Sequence, residues 1–141
     1  MKCLFVKPPF AGYIVDGVKS LEYRTQYTRI RGRIGIIESG TGTVIGDAEL
    51  YACWESLKHD GIWQWVLSNA RRYHTAVPFE HKKGAMVWIN LDIDPMKQSI
   101  APELSIMDKM NVFRKYEKEL DLFFAKRRRK NEIVHSLPEE L

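Results

Sequence analysis

Lys19, Glu22 and Arg24 have the residue types and spacing best suited to chemistry, because they follow one another closely after Gly17. If the fold buries Lys19, loss of hydration lowers the pKa of its ammonium group and makes the amine a base or a nucleophile. Glu22 then acts as an ion-pair partner, a general base or an acceptor for a nucleobase edge, and Arg24 holds a phosphate or carboxylate by two parallel hydrogen bonds. An ion-pair cluster that joins a helix to a strand explains the same pattern, and spacing alone favours neither interpretation.

The next stretch of the chain combines aromatic and basic side chains. Two tyrosines alternate here with four arginines: Tyr23, Tyr27, Arg24, Arg29, Arg31 and Arg33. Rings that stack on bases and arginines that bind phosphate are the side chains used to recognise single-stranded RNA. The formal net charge of +4 also favours anionic partners. An ordinary exposed strand and loop is the alternative interpretation.

The sequence contains no motif for a metal or a cofactor. Its four histidines lack the spacing of a metal site such as HExxH and are best explained as scattered surface residues or as histidines with satisfied hydrogen bonds. The segment 39–42, Ser-Gly-Thr-Gly, predicts a turn, because neither GxxxxGK[ST] nor a GxGxxG that opens a helix is present. Cys3 and Cys53 have no CxxC spacing, so we expect no zinc site, no disulfide scaffold and no cofactor.

Three features of the sequence predict a cytoplasmic protein. Two isolated cysteines suit a reducing compartment. Lys7 and two prolines interrupt the apolar N-terminal residues, so we expect no signal peptide. No apolar run approaches the roughly 20 residues that a membrane-spanning helix needs.

The elements that must position the charged residues alternate between short strands and helices. Apolar runs and period-two alternation predict strands at 3–6, 21–25, 33–39, 43–50, 73–79 and 86–91. A short helix is predicted at 8–16 and a second at 60–72, where Asp60 would cap a stripe of Ile62, Val66 and Ala70, flanked by Trp63. Short strands with few crossover helices favour an α+β fold, a small mixed β-barrel of about five or six strands.

The C-terminal third is predicted to be an appendage of this domain, which covers residues 1–94. A linker at 95–104 leads into a helix at 105–130, where Ser105 and Asp108 resemble a capping box, and a tail follows at 131–141. The helix carries an incomplete apolar stripe: Met107, Met110, Phe113, Leu120, Phe123 and Phe124. This stripe must be buried, either on the barrel or in a homodimer through 105–130. The basic residues 126–130 suit the C-terminal end of a helix dipole.

With these elements in place, residues 2–94 resemble the ASCH domain family of the PUA-like superfamily. The resemblance lies in Lys7-Pro8 before the short helix, in the motif Gly17-x-Lys19-x-x-Glu22-x-Arg24, and in Arg31-Gly32-Arg33 before a strand ending at Ser39. The Gly46 strand and the segment from Trp65 through Arg72 and Gly84 to Trp88 also fit. The resemblance implies a PUA-like β-barrel with a cleft lined by the motif residues.

Three functions follow from the residues and the resemblance together, and whether the chain is an enzyme is left open. The first is binding of RNA or a modified nucleotide through a cleft predicted to contain Lys7, Lys19, Glu22, Tyr23, Arg24, Arg31, Arg33 and Ser39. The second is hydrolysis by Lys19 and Glu22, since some family members are amidohydrolases of N4-acylated cytidines and others ribonucleases. Those amidohydrolases use a lysine at position 19, a threonine at position 22 and a later glutamate, for which Glu55 and Asp60 are candidates. The third is an interaction module that dimerises through the C-terminal helix.

Overall fold

The computed structural model describes the backbone of residues 1–136 and the side chains of residues 1–130. It has six strands: β1 (Lys2–Val6), β2 (Leu21–Arg24), β3 (Gly32–Glu38), β4 (Thr43–Glu55), β5 (Trp63–Pro78) and β6 (Trp88–Asn90). Its helices are α1 (Phe10–Val15), a short 3-10 helix (Pro95–Lys97) and α2 (Ile106–Ser136).

The six strands form one mixed sheet in the order β2-β5-β4-β3-β1-β6. β1 and β3 are parallel, and the other neighbours are antiparallel. This confirms the predicted α+β class, the strand number and the appended helix. The hydrogen bonding does not close into a barrel, since β2 and β6 remain at the two edges of the sheet.

Helix α1 packs on the sheet because one position of β4 has no side chain. A Cβ atom at Gly46 would meet the carbonyl oxygen of Arg71 and would lie 2.6 Å from Cγ1 of Val15. The close approach buries Ala11, Ile14 and Val15 of the helix against the sheet. Gly17 then ends the helix in the left-handed conformation, with φ of 75°, which glycine adopts without steric cost.

The helix predicted at 60–72 is wrong, because these residues belong to the loop before β5 and to β5 itself. β5 is antiparallel to β4 over most of its length, with register shifts at three places. Asn69 has a φ of 49° within the strand. Such irregularities interrupt period-two alternation. Ile62, Val66 and Ala70 are spaced by four residues, which fits one face of a strand as well as one face of a helix. Pairing with β4 and the β-forming tryptophans decide the local structure.

The C-terminal segment is tied to the sheet before α2 begins. The amides of His74 and Ala101 donate to the carbonyl oxygens of Ser99 and Arg72, so the predicted linker runs beside β5. Ser105 Oγ accepts a hydrogen bond from the amide of Asp108 at 3.1 Å, which confirms the predicted cap. The helix continues to Ser136, past the predicted end at residue 130, and the rest of the predicted tail lies outside the described residues.

The division into a domain at 1–94, a linker and a helix stays a prediction.

Among the described residues, no helix combines the length and the apolar character required to cross a membrane.

Asp47 of β4 is fully buried and joins three strands by hydrogen bonds. Arg33 of β3 donates to its Oδ1 at 2.5 Å, and Arg71 of β5 donates to both oxygens at 2.8 and 2.7 Å. The Tyr73 hydroxyl donates to Oδ2 at 2.6 Å. Burial raises the pKa of Asp47, but the hydrogen bonds from Arg71, Tyr73 and Arg33 outweigh it and leave this pKa below its ordinary value.

We expect the substitution Asp47→Asn to lower the free energy of unfolding at pH 7 by about 2–4 kcal/mol, because it removes the charge from a buried hydrogen-bonded pair. Since the pKa of Asp47 is lowered in the folded state, its contribution is complete above the unfolded pKa and is lost as pH falls through the folded pKa. Urea unfolding curves at neutral and acidic pH measure both effects.

The control is Glu49→Gln. Glu49 also pairs with Arg33, at 3.7 Å, but its side chain is 37% exposed, so we expect a loss below about 0.5 kcal/mol. Equal losses from the two substitutions would contradict the central role of Asp47.

Candidate functional site

Lys19 lies in the short connection between α1 and β2 and is only 3% exposed. The amides of Val18 and Lys19 both donate to the carbonyl oxygen of Tyr13, at 3.0 and 2.9 Å, and so fix the turn that follows Gly17. The Nζ atom donates to the carbonyl oxygen of Leu21 and lies 3.5 Å from Oε1 of Glu22. The connection therefore directs the lysine into the protein.

Three aromatic rings surround the ammonium group of Lys19. Its Nζ atom is 4.9 Å from the ring centroid of Tyr23, 5.4 Å from that of Phe10 and 5.5 Å from that of Tyr116 in α2. Burial lowers the pKa of Lys19, while the neighbouring Glu22 opposes this shift. The cation is thus stabilised by one carboxylate and by the faces of the rings.

Glu22 and Arg24 lie on the same side of the edge strand β2, as the period of two predicts. Arg24 Nη2 donates to Oε2 of Glu22 at 3.0 Å and to the carbonyl oxygen of Phe5 at 2.7 Å. The guanidinium also lies 5.5 Å from the ring of Trp65. The motif is therefore an ion-pair network that joins β2 to β1, and it faces a cavity. Its role in binding or catalysis stays a prediction.

The cavity beside the motif has a volume of about 340 Å³. Six of the residues predicted for the cleft line it: Lys7, Lys19, Glu22, Tyr23, Arg24 and Ser39. They come from the ends of β1 and β3, from the turn after α1 and from β2. The structure thus brings together residues that are more than 30 positions apart in the sequence.

Arg31 and Arg33, which were also predicted for the cleft, do not line this cavity. Arg31 donates to the carbonyl oxygens of Thr28 and Ile30, and its guanidinium lies 5.8 Å from the ring centroid of Tyr27. Arg33 pairs with the buried Asp47, which gives it a structural role. A contribution of either arginine to ligand binding stays a prediction.

Sequence reasoning missed the apolar residues that complete the cavity: Phe5, Val6, Phe10, Met86, Leu120 and Phe123. Two of them, Leu120 and Phe123, belong to α2. Their apolar stripe in the sequence signalled burial but did not identify the surface that covers it. Glu55 and Asp60, the candidates for a second carboxylate, do not line the cavity, and Glu22 is its only carboxylate among the described residues.

The aromatic face of α2 packs on the protein's own domain. Tyr116 lies 5.5 Å from Tyr13 between ring centroids, and Phe124 stacks on His59 at 3.7 Å. The predicted homodimer through 105–130 therefore has to use other residues of the helix, and it stays a prediction. At the stacked His59, burial and the cationic Lys58, Arg128 and Arg127 lower the pKa of the imidazole.

Comparison with solved structures finds the ASCH protein of Zymomonas mobilis. The match has 20% sequence identity and a TM-score of 0.48, and it covers 79% of this chain and 93% of that one. Two single-residue variants of that protein match with 19% identity and TM-scores of 0.46 and 0.43. The match to the first variant covers 64% of this chain and 87% of the variant. The match to the second covers 79% of this chain and 94% of the variant. No curated protein is significantly similar to the chain.

The sequence model of the ASCH domain matches residues 4–87, which is more than half of the chain. This match contains the motif after Gly17 and all six predicted residues of the cavity, and it ends before α2 begins. The resemblance seen in the sequence is confirmed: this chain belongs to the ASCH domain family, with its PUA-like fold.

Proposed function

We propose that the cavity beside Lys19 binds one nucleotide unit, either free or as part of an RNA. The observation that carries this proposal is the pairing of Glu22 and Arg24 at one wall of a small cavity whose other walls are largely apolar and aromatic. Pockets for small ligands commonly combine apolar walls with a few convergent polar groups, and about 340 Å³ lies near the lower end of their range.

The groups at the motif suit the edge of a nucleobase. Glu22 accepts hydrogen bonds from the Tyr23 amide and from Arg24, and its carboxylate still has acceptor capacity for a base amino group. Arg24 uses Nη2 for its hydrogen bonds to the described residues, which leaves the donors on Nε and Nη1 for a ligand. Phe10 and Tyr23 supply rings on which a base can stack.

The charge balance of the cavity suits a phosphate at its mouth. Three cationic side chains, Lys7, Lys19 and Arg24, face one carboxylate, Glu22. Lys7 is exposed and precedes Pro8, so its ammonium group can reach a phosphate while it stays partly hydrated. Ser39, at the end of β3, adds a hydroxyl group that either donates or accepts.

Binding of the four ribonucleoside 5′-monophosphates, measured by calorimetry, tests this proposal. We expect Glu22→Gln to weaken the preferred ligand by about 10- to 100-fold, because a charge-assisted hydrogen bond is worth about 1.5–3 kcal/mol. Arg24→Ala should weaken binding at least as much, since it also frees Glu22 from its partner.

Arg31→Ala is the matched control, because this arginine lies outside the cavity and should leave the affinity unchanged. The proposal would be refuted if the wild-type protein bound none of the four monophosphates and no short RNA. Equal losses from Arg31→Ala and Arg24→Ala would place the ligand outside the cavity.

A second candidate function is hydrolysis, favoured by the lowered pKa of Lys19. An amine that has lost hydration is unprotonated more often than an ordinary lysine and can attack or activate water. The substrates to examine are N4-acetylcytidine, for amide hydrolysis, and short RNAs, for cleavage of the phosphodiester. Glu22 occupies the position where the amidohydrolases use threonine, so in this chain the step would rest on a lysine–carboxylate pair.

If the protein hydrolyses either substrate, we expect Lys19→Met to reduce kcat at least 100-fold, in line with the loss of a general base. Methionine keeps most of the apolar volume between the three rings. Because neutral Lys19 is the active form, kcat should rise with pH through its pKa and level off at a lower pH than an ordinary lysine gives. Lys7→Met, a change at an exposed lysine of the same cavity, should raise KM and spare kcat. Turnover that survives Lys19→Met would refute this candidate.

Dimerisation through α2 is a third proposal, which rests on large apolar side chains near the start of the helix. Ile106, Met107, Met110 and Phe113 are between 44% and 80% exposed. We expect a dimer mass by light scattering and a monomer after Phe113→Glu. Leu122→Glu, at an exposed residue beyond this group, is the control. A monomer mass for the wild-type chain would rule the proposal out.

A further inference from the structure

Helix α2 completes the cavity although it lies beyond the ASCH match, which ends at residue 87. Two of its residues, Leu120 and Phe123, line the cavity together with the motif. Phe123 lies 6.1 Å from Phe10 between ring centroids, so this wall meets the start of α1. The helix therefore limits the space that the family domain offers to a ligand.

Two buried aromatic residues of α2 hold this wall in place, and each is only 6% exposed. Tyr116 packs against Phe10 and Tyr13 on the α1 side of the cavity. Phe124 packs against Tyr23 on the β2 side and stacks on His59. Tyr116 and Phe124 are two helical turns apart, about 12 Å along the axis of α2. Leu120 lies midway between them, so the helix spans the cavity from α1 to β2.

This placement decides which form of a nucleotide can enter the cavity. An internal nucleotide of RNA continues into a neighbour on both sides, so a cavity that takes its sugar and phosphate together with the base must be open to both neighbours. Here one wall is formed by apolar residues of α2 that offer no partner to a phosphate, and the cationic groups lie at the motif and at Lys7. A free nucleotide, or one at the end of a chain, needs only one opening.

We propose that α2 is the specificity-determining wall of the cavity, and that Leu120 and Phe123 exclude nucleotides joined to neighbours on both sides. The ligand class is then a free nucleotide or a chain-terminal one. This inference rests on the proposed function, because it concerns the ligand of the same cavity.

The test compares the preferred ribonucleoside monophosphate with a circular RNA of about ten nucleotides that contains the same base and has no ends. We expect the full-length protein to bind the monophosphate at least about tenfold more tightly than the circle. In the double variant Leu120→Ala/Phe123→Ala, this preference should fall to about threefold or less. Phe123→Ala alone changes a side chain that is already 39% exposed, so it gives a milder second variant with the same direction of effect.

Leu122→Ala is the matched control, because it makes the same truncation two residues from Leu120 at a side chain that does not line the cavity. It should keep the wild-type preference. Wild-type protein that binds the circle as tightly as the monophosphate would overturn this inference and leave the proposed function standing. An unchanged preference in the double and single variants would also overturn it. Wild-type protein that binds neither probe, nor the linear RNA of the same sequence, would refute both proposals.

Discussion

The burial of one ammonium group is the constraint on which this site depends. A buried charge has to be compensated, because its desolvation costs several kcal/mol. Lys19 receives a carboxylate from β2, the Leu21 carbonyl oxygen and three aromatic rings. One of those rings belongs to Tyr116, far along the chain in α2. The lysine therefore couples the turn after Gly17, the edge strand and the C-terminal helix into one unit.

The same constraint explains why α2 packs where it does. Without Tyr116, the ammonium group would lose one ring and gain contact with water, and Glu22 would be the main remaining compensation. Without Phe124, the rings of Tyr23 and His59 would be exposed beside the motif. The helix thus stabilises the polar cluster and shapes the cavity with the same face. The exposed residues at its start, such as Met107, contribute to neither effect.

Local patterns predicted what is local in this structure. The proximity of Glu22 and Arg24 follows from the period of a strand, and the turn at Gly17 follows from the conformational freedom of glycine. The burial of Lys19 could not be predicted, because it depends on Tyr116, almost 100 residues away in sequence. The structural role of Arg33 could not be predicted, because its partner, Asp47, lies on another strand. The four-residue spacing of Ile62, Val66 and Ala70 fits a strand as well as a helix, and pairing with β4 decides between them.

In the two functions proposed for this site, Glu22 would set the balance between binding and catalysis. Desolvation favours the neutral amine of Lys19, whereas a carboxylate 3.5 Å away favours the ammonium form. A threonine at position 22 would supply no such charge, so the amine would lose its proton more readily there. A ligand that donates hydrogen bonds to Glu22 competes with Lys19 for the carboxylate, which weakens the stabilisation of the ammonium form. In the proposed functions, ligand binding through Glu22 and activation of Lys19 would therefore be coupled, because the contact that recognises a base amino group would also favour deprotonation of the lysine.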